Sequence, residues 1–360
     1  MFTAADHEFM GQALELAGRG LFTTTPNPRV GCVIVRDGAA VGTGWHEKAG
    51  MLHAEVLALK AAGASARGAT LYVNLEPCSH HGRTPPCVDA IIDAGVERVV
   101  AAMQDPNPEV AGAGFARLRA ARIAVEHGLM EDEARELNIG FVARMTRGRP
   151  WVRMKIAASL DGRTALANGK SQWITGEAAR ADGHRWRARA CAIVTGFGTV
   201  RDDDPQLNVR GVDTPRQPLK IVVDSKFEIS PSARLLKEGK TLVAGAVNDA
   251  KGIAALKGAG AEVVVIPNDG GKVELFKLME ELARRELNEI HVEAGTKLNG
   301  SLLQAGVVDE LLVYLAPRVI GDSGRGMFSL PELTELSRST ALKIREVERV
   351  GEDLRIVAKL

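Results

Sequence analysis

The stretch "ATLYVNLEPCSHHGRTPPCVDAIIDAG", residues 69–95, places two of the chain's four cysteines in a polar, proline-rich loop. Residues 69–77 read as a buried strand. Residues 85–95 read as a helix, with proline at its first positions and Gly95 just past its end. Cys78 therefore leaves a strand and Cys87 opens a helix. Such thiols are either incidental, or they hold a metal and the loop is an active site.

The flanking sequence extends the α/β pattern. Phe9, Met10, Ala13, Leu14 and Ala17 fall at helical spacing within 6–18. "VGCVIV" (30–35), "DG" (37–38) and "AVGTGW" (40–45) read as strand, turn and strand, and "HAEVLALKAAG" (53–63) as a helix with a glycine stop. "VERVVAAM" (96–103) is a strand, and "GFARLRAARIAVEHG" supplies a helix and a short strand. The first half is thus an α/β layer sandwich. A basic, Gly/Pro-containing stretch, "ARMTRGRP" (143–150), has no apolar period and marks a boundary. Two domains are expected, 1–147 and 150–360. In the second, seven runs read as strands: 151–159, 191–196, 219–225, 241–246, 261–267, 289–295 and 310–317. Most are nearly continuous in apolar residues, as strands buried on both faces require. The run "VDELLVYLAP" fits either an assembly edge or a central strand.

The 360 residues exceed one ordinary core, and 45% hydrophobic with 25% charged residues fits a globular protein. Net charge is +1, and the first 150 residues hold 15 Lys/Arg against 17 Asp/Glu. No field draws this chain to nucleic acid or an anionic membrane. Four irregularly spaced cysteines do not form a secreted disulfide framework. The amphipathic, acidic N-terminus lacks the features of a signal peptide, and no apolar stretch approaches the roughly 20 residues of a bilayer span. A cytoplasmic protein without membrane or nucleic-acid partners is expected.

His53 and Glu55 stand at the start of one helix, Cys78 after a strand and Cys87 at the start of another helix. One imidazole and two thiolates are zinc ligands, and helix N-termini favour the thiolates. Three ligands leave a fourth position open, where the pKa of water falls from 15.7 to roughly 7. Glu55, two residues from a ligand, is placed to take that proton and return it. Zinc deaminases combine H-x-E with P-C-x-x-C in this way. Here eight residues separate the cysteines instead of two, which lengthens a loop at the pocket mouth. Other readings stand beside this one. Cys87 is a small buried residue, or His80 or His81 closes the coordination and the zinc is structural. Cys32 belongs to the core. His46 is a satisfied surface histidine or a substrate contact.

In the second half, "HVEAGTKLNGSLL" is a strand, a glycine turn and a helix whose backbone N–H groups suit a pyrophosphate. It is not G-x-G-x-x-G, so a dinucleotide fingerprint is not signalled. "TGFGT" (195–199) gives another glycine turn after a strand. Either is equally an ordinary βα turn. Lys155, on a strand bordering the expected pocket, is a candidate to polarise a carbonyl or imine.

"TPNPRVGCVIV", "HAEV", "LEPCSHHGRTPPC", "MQDPNP" and "VAGAGFARL" together resemble the bifunctional riboflavin-biosynthesis deaminase/reductases. The long loop between the cysteines is a feature of that family. "KIAASLDGRTA", "SQWITG", "DDPQLNVR", "VVDS" and "VEAGTKLNGSLLQAGVVDE" are similar to its reductase half, so the resemblance covers essentially the whole chain. It implies an N-terminal cytidine-deaminase-like three-layer α/β sandwich and a C-terminal dihydrofolate-reductase-like domain. The implied activities are zinc-dependent deamination of 2,5-diamino-6-(5-phosphoribosylamino)pyrimidin-4(3H)-one and NADPH reduction of the product's ribosyl group to ribityl. Zn²⁺ would be held by His53, Cys78 and Cys87, with Glu55 catalytic.

The resemblance places the nucleotide against Ala157, Trp173, Thr199, Asp203 and Ser225, and along Gly295, Thr296, Lys297, Leu298, Asn299, Gly300 and Ser301. A hydroxyl at Ser225 tolerates a 2′-phosphate, although Asp224 beside it weakens that argument. Substrate contacts would be Ser171, Arg187, Leu207, Arg210 and Glu293. Two arginines suit a phosphate monoester, with a solvated helix face the other reading of Arg187. The partners expected are a phosphoribosylamino-pyrimidine and further copies of the chain. Two rivals remain. A nucleoside or tRNA-adenosine deaminase should carry the short P-C-x-x-C, and for tRNA a basic surface. A nucleotide-binding sensor would hold its zinc only structurally.

Overall fold

The computed structural model describes residues 1–80, 85–108 and 110–360. The chain forms two compact units, Met1–Gly148 and Arg149–Leu360.

The first unit runs α1 (Ala4–Gly18), β1 (Gly31–Arg36), β2 (Ala39–Trp45), α2 (Ala54–Ala62), β3 (Thr70–Val73), α3 (Cys87–Ala94), β4 (Arg98–Ala101), α4 (Ala113–Ala120), β5 (Ala124–His127), α5 (Glu131–Leu137) and α6 (Ile139–Arg147). Its sheet has the order β2-β1-β3-β4-β5. β1 is antiparallel to β2 and β3, while β3, β4 and β5 are parallel. Alternate residues serve opposite faces. Cys32, Ile34, Leu71 and Val99 pack under Ala58, Ile91 and Leu118 of α2, α3 and α4. Val33, Tyr72 and Val100 meet Phe9, Met10 and Phe141 on the other side. This is a three-layer sandwich.

The close seating of α2 comes from two glycines of β2. A Cβ on Gly42 would lie 2.3 Å from the carbonyl oxygen of Ala58, and one on Gly44 2.4 Å from that of Ala54. Only glycine permits this approach. It fixes the first turn of α2, where His53 and Glu55 stand.

The second unit contains β6 (Trp151–Ser159), β7 (Arg163–Ala165), α7 (Glu177–Arg189), β8 (Ala192–Gly196), α8 (Phe197–Asp203), β9 (Leu219–Val223), β10 (Thr241–Gly245), α9 (Ala250–Gly258), β11 (Glu262–Val265), α10 (Leu275–Arg284), β12 (Glu289–Val292), α11 (Thr296–Gln304), β13 (Glu310–Ala316), β14 (Arg325–Gly326), β15 (Lys343–Val350) and β16 (Asp353–Lys359). Its main sheet is ordered β11-β10-β9-β8-β12-β6-β13-β16-β15. β11 through β13 are parallel, and β16 and β15 extend the sheet antiparallel.

Of the two readings open for "VDELLVYLAP", the central one holds: its strand lies inside the sheet, between β6 and β16. β9 and β10 are apolar on both faces, with Ile221 and Leu242 on one side and Val222 and Val243 on the other, whereas β6 and β12 depart from that expectation. Val152, Met154, Ile290 and Val292 join the core with Leu278 and Leu302. The opposite face of β6 and β12 is polar and buried: Arg153 lies 3.2 Å from Glu289 and 2.5 Å from Glu310. Cross-strand ion pairs of this kind disfavour a one-residue slip, which would bury each charge against carbon.

Candidate active sites

In the first unit, β3 and the starts of α2 and α3 deliver three ligand side chains to one point. His53 caps α2 in extended conformation, and Cys87 is the first residue of α3 after Pro86. The free N–H groups of α3 hold the loop that bears the other thiol: Cys87 N donates to Cys78 Sγ (3.3 Å) and Val88 N to the Cys78 carbonyl (3.2 Å). His53 Nδ1 lies 3.2 Å from Cys87 Sγ and 3.5 Å from Cys78 Sγ. All three ligand atoms fall within 4.8 Å of one another. Tetrahedral zinc with ordinary Zn–S and Zn–N lengths spaces such atoms about 3.5 Å apart, so the donor set fits the ion.

The electrostatics agree. Hydrogen bonding from Cys87, then from His53 and the helix N–H, holds the Cys78 thiol well below its usual range against the opposing effect of burial. Glu55, 3% exposed, is pushed up to about 7 by burial and by the thiolate charge of Cys78. A carboxyl poised there can both accept and return a proton near neutrality.

His80 is exposed and stands outside the ligand cluster, and His81 lies outside the described residues. Cys32 is fully buried in β1. His46 is not on the surface: it is 3% exposed and packs edge-on against His53, ring centroids 5.3 Å apart. Its Nδ1 donates to the Leu52 carbonyl (3.1 Å), which leaves Nε2 to accept from Asn27 Nδ2 (3.1 Å). Sequence reasoning missed Asn27 and Glu76. The Glu76 carboxylate accepts the N–H groups of Asp105, Gly112, Gly114 and Phe115 at 2.9–3.2 Å. A buried acid two residues before a ligand cysteine was the available signal.

In the second unit, Thr199, Ser225 and residues 295–301 among the expected nucleotide residues follow the carboxyl ends of β8, β9 and β12, which adjoin in the sheet. The strand order reverses here, since β8 to β11 run outward one way and β13 lies on the other side. Such switch points hold ligands in open parallel sheets. The turns after β8 and β12 touch: a Cβ on Gly196 would lie 3.2 Å from Leu298, and one on Gly295 3.9 Å from Thr199 Oγ1. The first turn of α11 has no side-chain cap, so its N–H groups are free for an anion. Thr195 Oγ1 and Asn299 Oδ1 are buried without a hydrogen-bond partner among the described residues. The Thr195 hydroxyl and the uncapped turn can donate to a dinucleotide phosphate, whereas Asn299 Oδ1 can only accept.

Asn299 and Gly300 face another segment. Asn299 Nδ2 donates to the Met327 carbonyl at 3.3 Å, and a Cβ on Gly300 would meet the Ser329 oxygen at 2.0 Å. Asp224 is occupied by the N–H groups of Lys226 and Ile229, so Ser225 is the polar side chain left at the end of β9. Asp203 ends α8, and Ala157 lies mid-strand in β6. Trp173 is 62% exposed beneath the Arg180 guanidinium, 4.7 Å from its ring centroid.

Among the substrate residues, Arg187 is not a solvated helix face. It is half-buried and pairs bidentately with Glu293, at 2.5 and 2.8 Å, and donates to the Asn208 carbonyl at 2.9 Å. These bonds hold the Glu293 carboxyl well below its usual range against the opposing effect of burial. Leu207 is buried with φ +50°, and Arg210, exposed, donates its N–H to His184 Nδ1. Ser171 is half-buried. Lys155 lies 6.0 Å from the Tyr314 ring centroid, and burial lowers its pKa.

Residues 150–356 match the family described as RibD C-terminal domain, and residues 3–103 match the cytidine and deoxycytidylate deaminase zinc-binding region. The chain is 49% identical to the riboflavin biosynthesis protein RibD of Escherichia coli (strain K12), covering 97% of this chain and 98% of that protein. Identity to the RibD of Haemophilus influenzae is 45%, over 99% and 97% of the two chains. Among solved structures, Acinetobacter baumannii RibD superposes with TM-score 0.92 at 42% identity, covering 99% and 98%. A diaminohydroxyphosphoribosylaminopyrimidine deaminase/5-amino-6-(5-phosphoribosylamino)uracil reductase from Thermotoga maritima gives 0.88 at 33% identity, again over 99% and 98%.

Proposed function

The chain belongs to the RibD family of bifunctional riboflavin-biosynthesis deaminase/reductases, and from that premise we propose how its residues divide two consecutive reactions. The first unit hydrolyses the exocyclic amine of 2,5-diamino-6-(5-phosphoribosylamino)pyrimidin-4(3H)-one. The second reduces the ribosyl group of 5-amino-6-(5-phosphoribosylamino)uracil to ribityl with NADPH. The observation that carries this reading is the convergence of His53, Cys78 and Cys87, with the buried carboxyl of Glu55 two residues from the histidine.

For deamination, His53 Nδ1 and the sulfurs of Cys78 and Cys87 would hold zinc, which would supply the Lewis acidity that lowers the pKa of water. Glu55 takes the proton of the attacking water on its carboxylate and passes it to the ring nitrogen. A further proton returned through Glu55 lets the amine leave as ammonia, so one C–O bond forms and one C–N bond breaks. His46, neutral and held by Leu52 and Asn27, braces the His53 ring. Glu76 ties the 105–115 segment to the residues just before Cys78.

For reduction, NADPH supplies the hydride when bound. The N-terminal turn of α11 and the turn at 196–199 take its phosphates, and the Ser225 hydroxyl suits a 2′-phosphate. Arg210 grips the substrate phosphate with Ser171 beside it, and Leu207 packs below. Arg187 spends its donors mainly on Glu293 and so holds that carboxylate ionised for the sugar. Lys155 Nζ polarises the opened ribose imine or aldehyde.

We also read the protein as a cytoplasmic homo-oligomer. No described helix is long and apolar enough to cross a membrane, and all four cysteines are free. Strand β15 leaves Ile344 and Val347, 63% and 58% exposed, on an outer edge that light scattering can test for self-association.

Mass spectrometry of products from the diaminopyrimidine ribotide decides the main reading. Without NADPH the deaminated ribosyl compound should accumulate, and with NADPH its ribityl form. Recovery of unchanged substrate from the zinc-loaded protein would refute the assignment and favour a sensor.

A further inference from the structure

Glu289, His291 and Glu293 alternate along β12 and its extension, so all three side chains share one face of the sheet. Helix α7 covers that face: Arg189 lies 2.7 Å from Glu289, and Arg187 pairs with Glu293. On the neighbouring strand β6, Arg153 is the register partner of His291. A column of polar side chains thus runs from the amino end of the sheet towards the nucleotide end, and His291 is its middle member.

His291 is fully buried, and its Nε2 lies 3.3 Å from Glu293 Oε1. Neither ring nitrogen completes a well-aligned hydrogen bond. The same Oε1 takes the Arg187 Nε–H, and Oε2 takes an Nη2–H. The charged groups facing the imidazole are Glu293 on its own strand, Arg187 from α7 and Arg153 from β6. Burial outweighs the pull of the Glu293 carboxylate and, with the smaller effects of Arg187 and Arg153, keeps the ring neutral. A neutral imidazole has one N–H to give, and the carboxylate is the acceptor within reach. A leucine would fill this place without the desolvation penalty of an unsatisfied imidazole.

We propose that His291 is a positioning residue for the reductase: its ring, with Nε2 3.3 Å from Oε1, abuts the Glu293 carboxylate from the strand side and offers it an N–H, while Arg187 holds it from the helix side. With both supports, Glu293 keeps one orientation. With Arg187 alone, the ion pair can swing as a unit. The proposal rests on the reading of Glu293 as a substrate contact.

The test measures reductase kinetics on supplied deaminated substrate, using the full chain, with its thermal unfolding curve as a folding control. His291→Leu should raise the KM for the pyrimidine about tenfold, the loss of about 1.4 kcal/mol of binding, and leave the KM for NADPH unchanged. His291→Gln, which restores an N–H donor near the Nε2 position, should return the pyrimidine KM to within about threefold of the parent. If His291→Leu is insoluble, His291→Phe supplies a ring without a donor. A pyrimidine KM within twofold of the parent in the donor-less variant overturns the proposal. So does an equal loss for both substrates that Gln fails to rescue, since that marks packing alone. Glu293→Gln is run in parallel: an unchanged pyrimidine KM there defeats the underlying reading of Glu293, whatever His291 does.

Discussion

Glu55 and Glu293 are both withdrawn from water, one in each unit, yet they titrate in opposite directions. Burial raises both. Glu55 has a thiolate for its nearest strong charge and ends at about 7, whereas Glu293 is gripped by Arg187 and ends well below an ordinary carboxylate. The partner, not the burial, decides the job. A carboxyl at about 7 carries protons, and one locked to a guanidinium is a fixed negative charge that orients a substrate.

Breaking this contrast should have its largest effect at Glu55. Glu55→Gln removes the proton carrier while sparing the ligands. Ammonia release should fall about 10²–10⁴-fold with zinc content and NADPH oxidation on deaminated substrate retained. Loss of both activities would mean that the units are coupled. Lys155→Met comes next. If the ammonium polarises the sugar carbon, reductase turnover should fall about 10²–10³-fold, and turnover within a few-fold of the parent discards that role. Glu293→Gln is smaller. A hydrogen bond to a charged group contributes about 1.5–3 kcal/mol, so reductase kcat/KM should drop about ten- to a hundredfold. Differential scanning calorimetry should also show a lower Tm, because Arg187 is left half-buried without its counter-charge.

How far these roles are legible in the sequence differs between the two sites. His53, Glu55, Cys78 and Cys87 are legible because their chemistry is carried by residue type, and each sits at a strand end or helix start marked by proline or apolar period. The glycines at 42 and 44 that seat α2 are not, since nothing in the spacing shows which backbone approaches them. Glu293 and Arg187 are 106 residues apart, so a basic helix face looked solvated when it faces a buried acid. His291 passed as one residue of an apolar strand. The hairpin of β15 and β16 escaped notice because a bulge between Ile344 and Glu346 breaks its alternation and most of β15 is exposed. The inner position of β13 was equally closed to inspection, as an apolar strand reads alike at an edge and in the middle.

The contrast itself is tested most directly by following both activities against pH on one zinc-loaded preparation. Glu55 must start as a carboxylate, so kcat/KM for ammonia release should decline as pH falls through about 7. Glu293 stays ionised far below that, so NADPH oxidation should show no carboxylate limb between pH 7 and about 5. Two acid limbs that coincide near the ordinary carboxylate range would contradict the division of labour between the two buried glutamates.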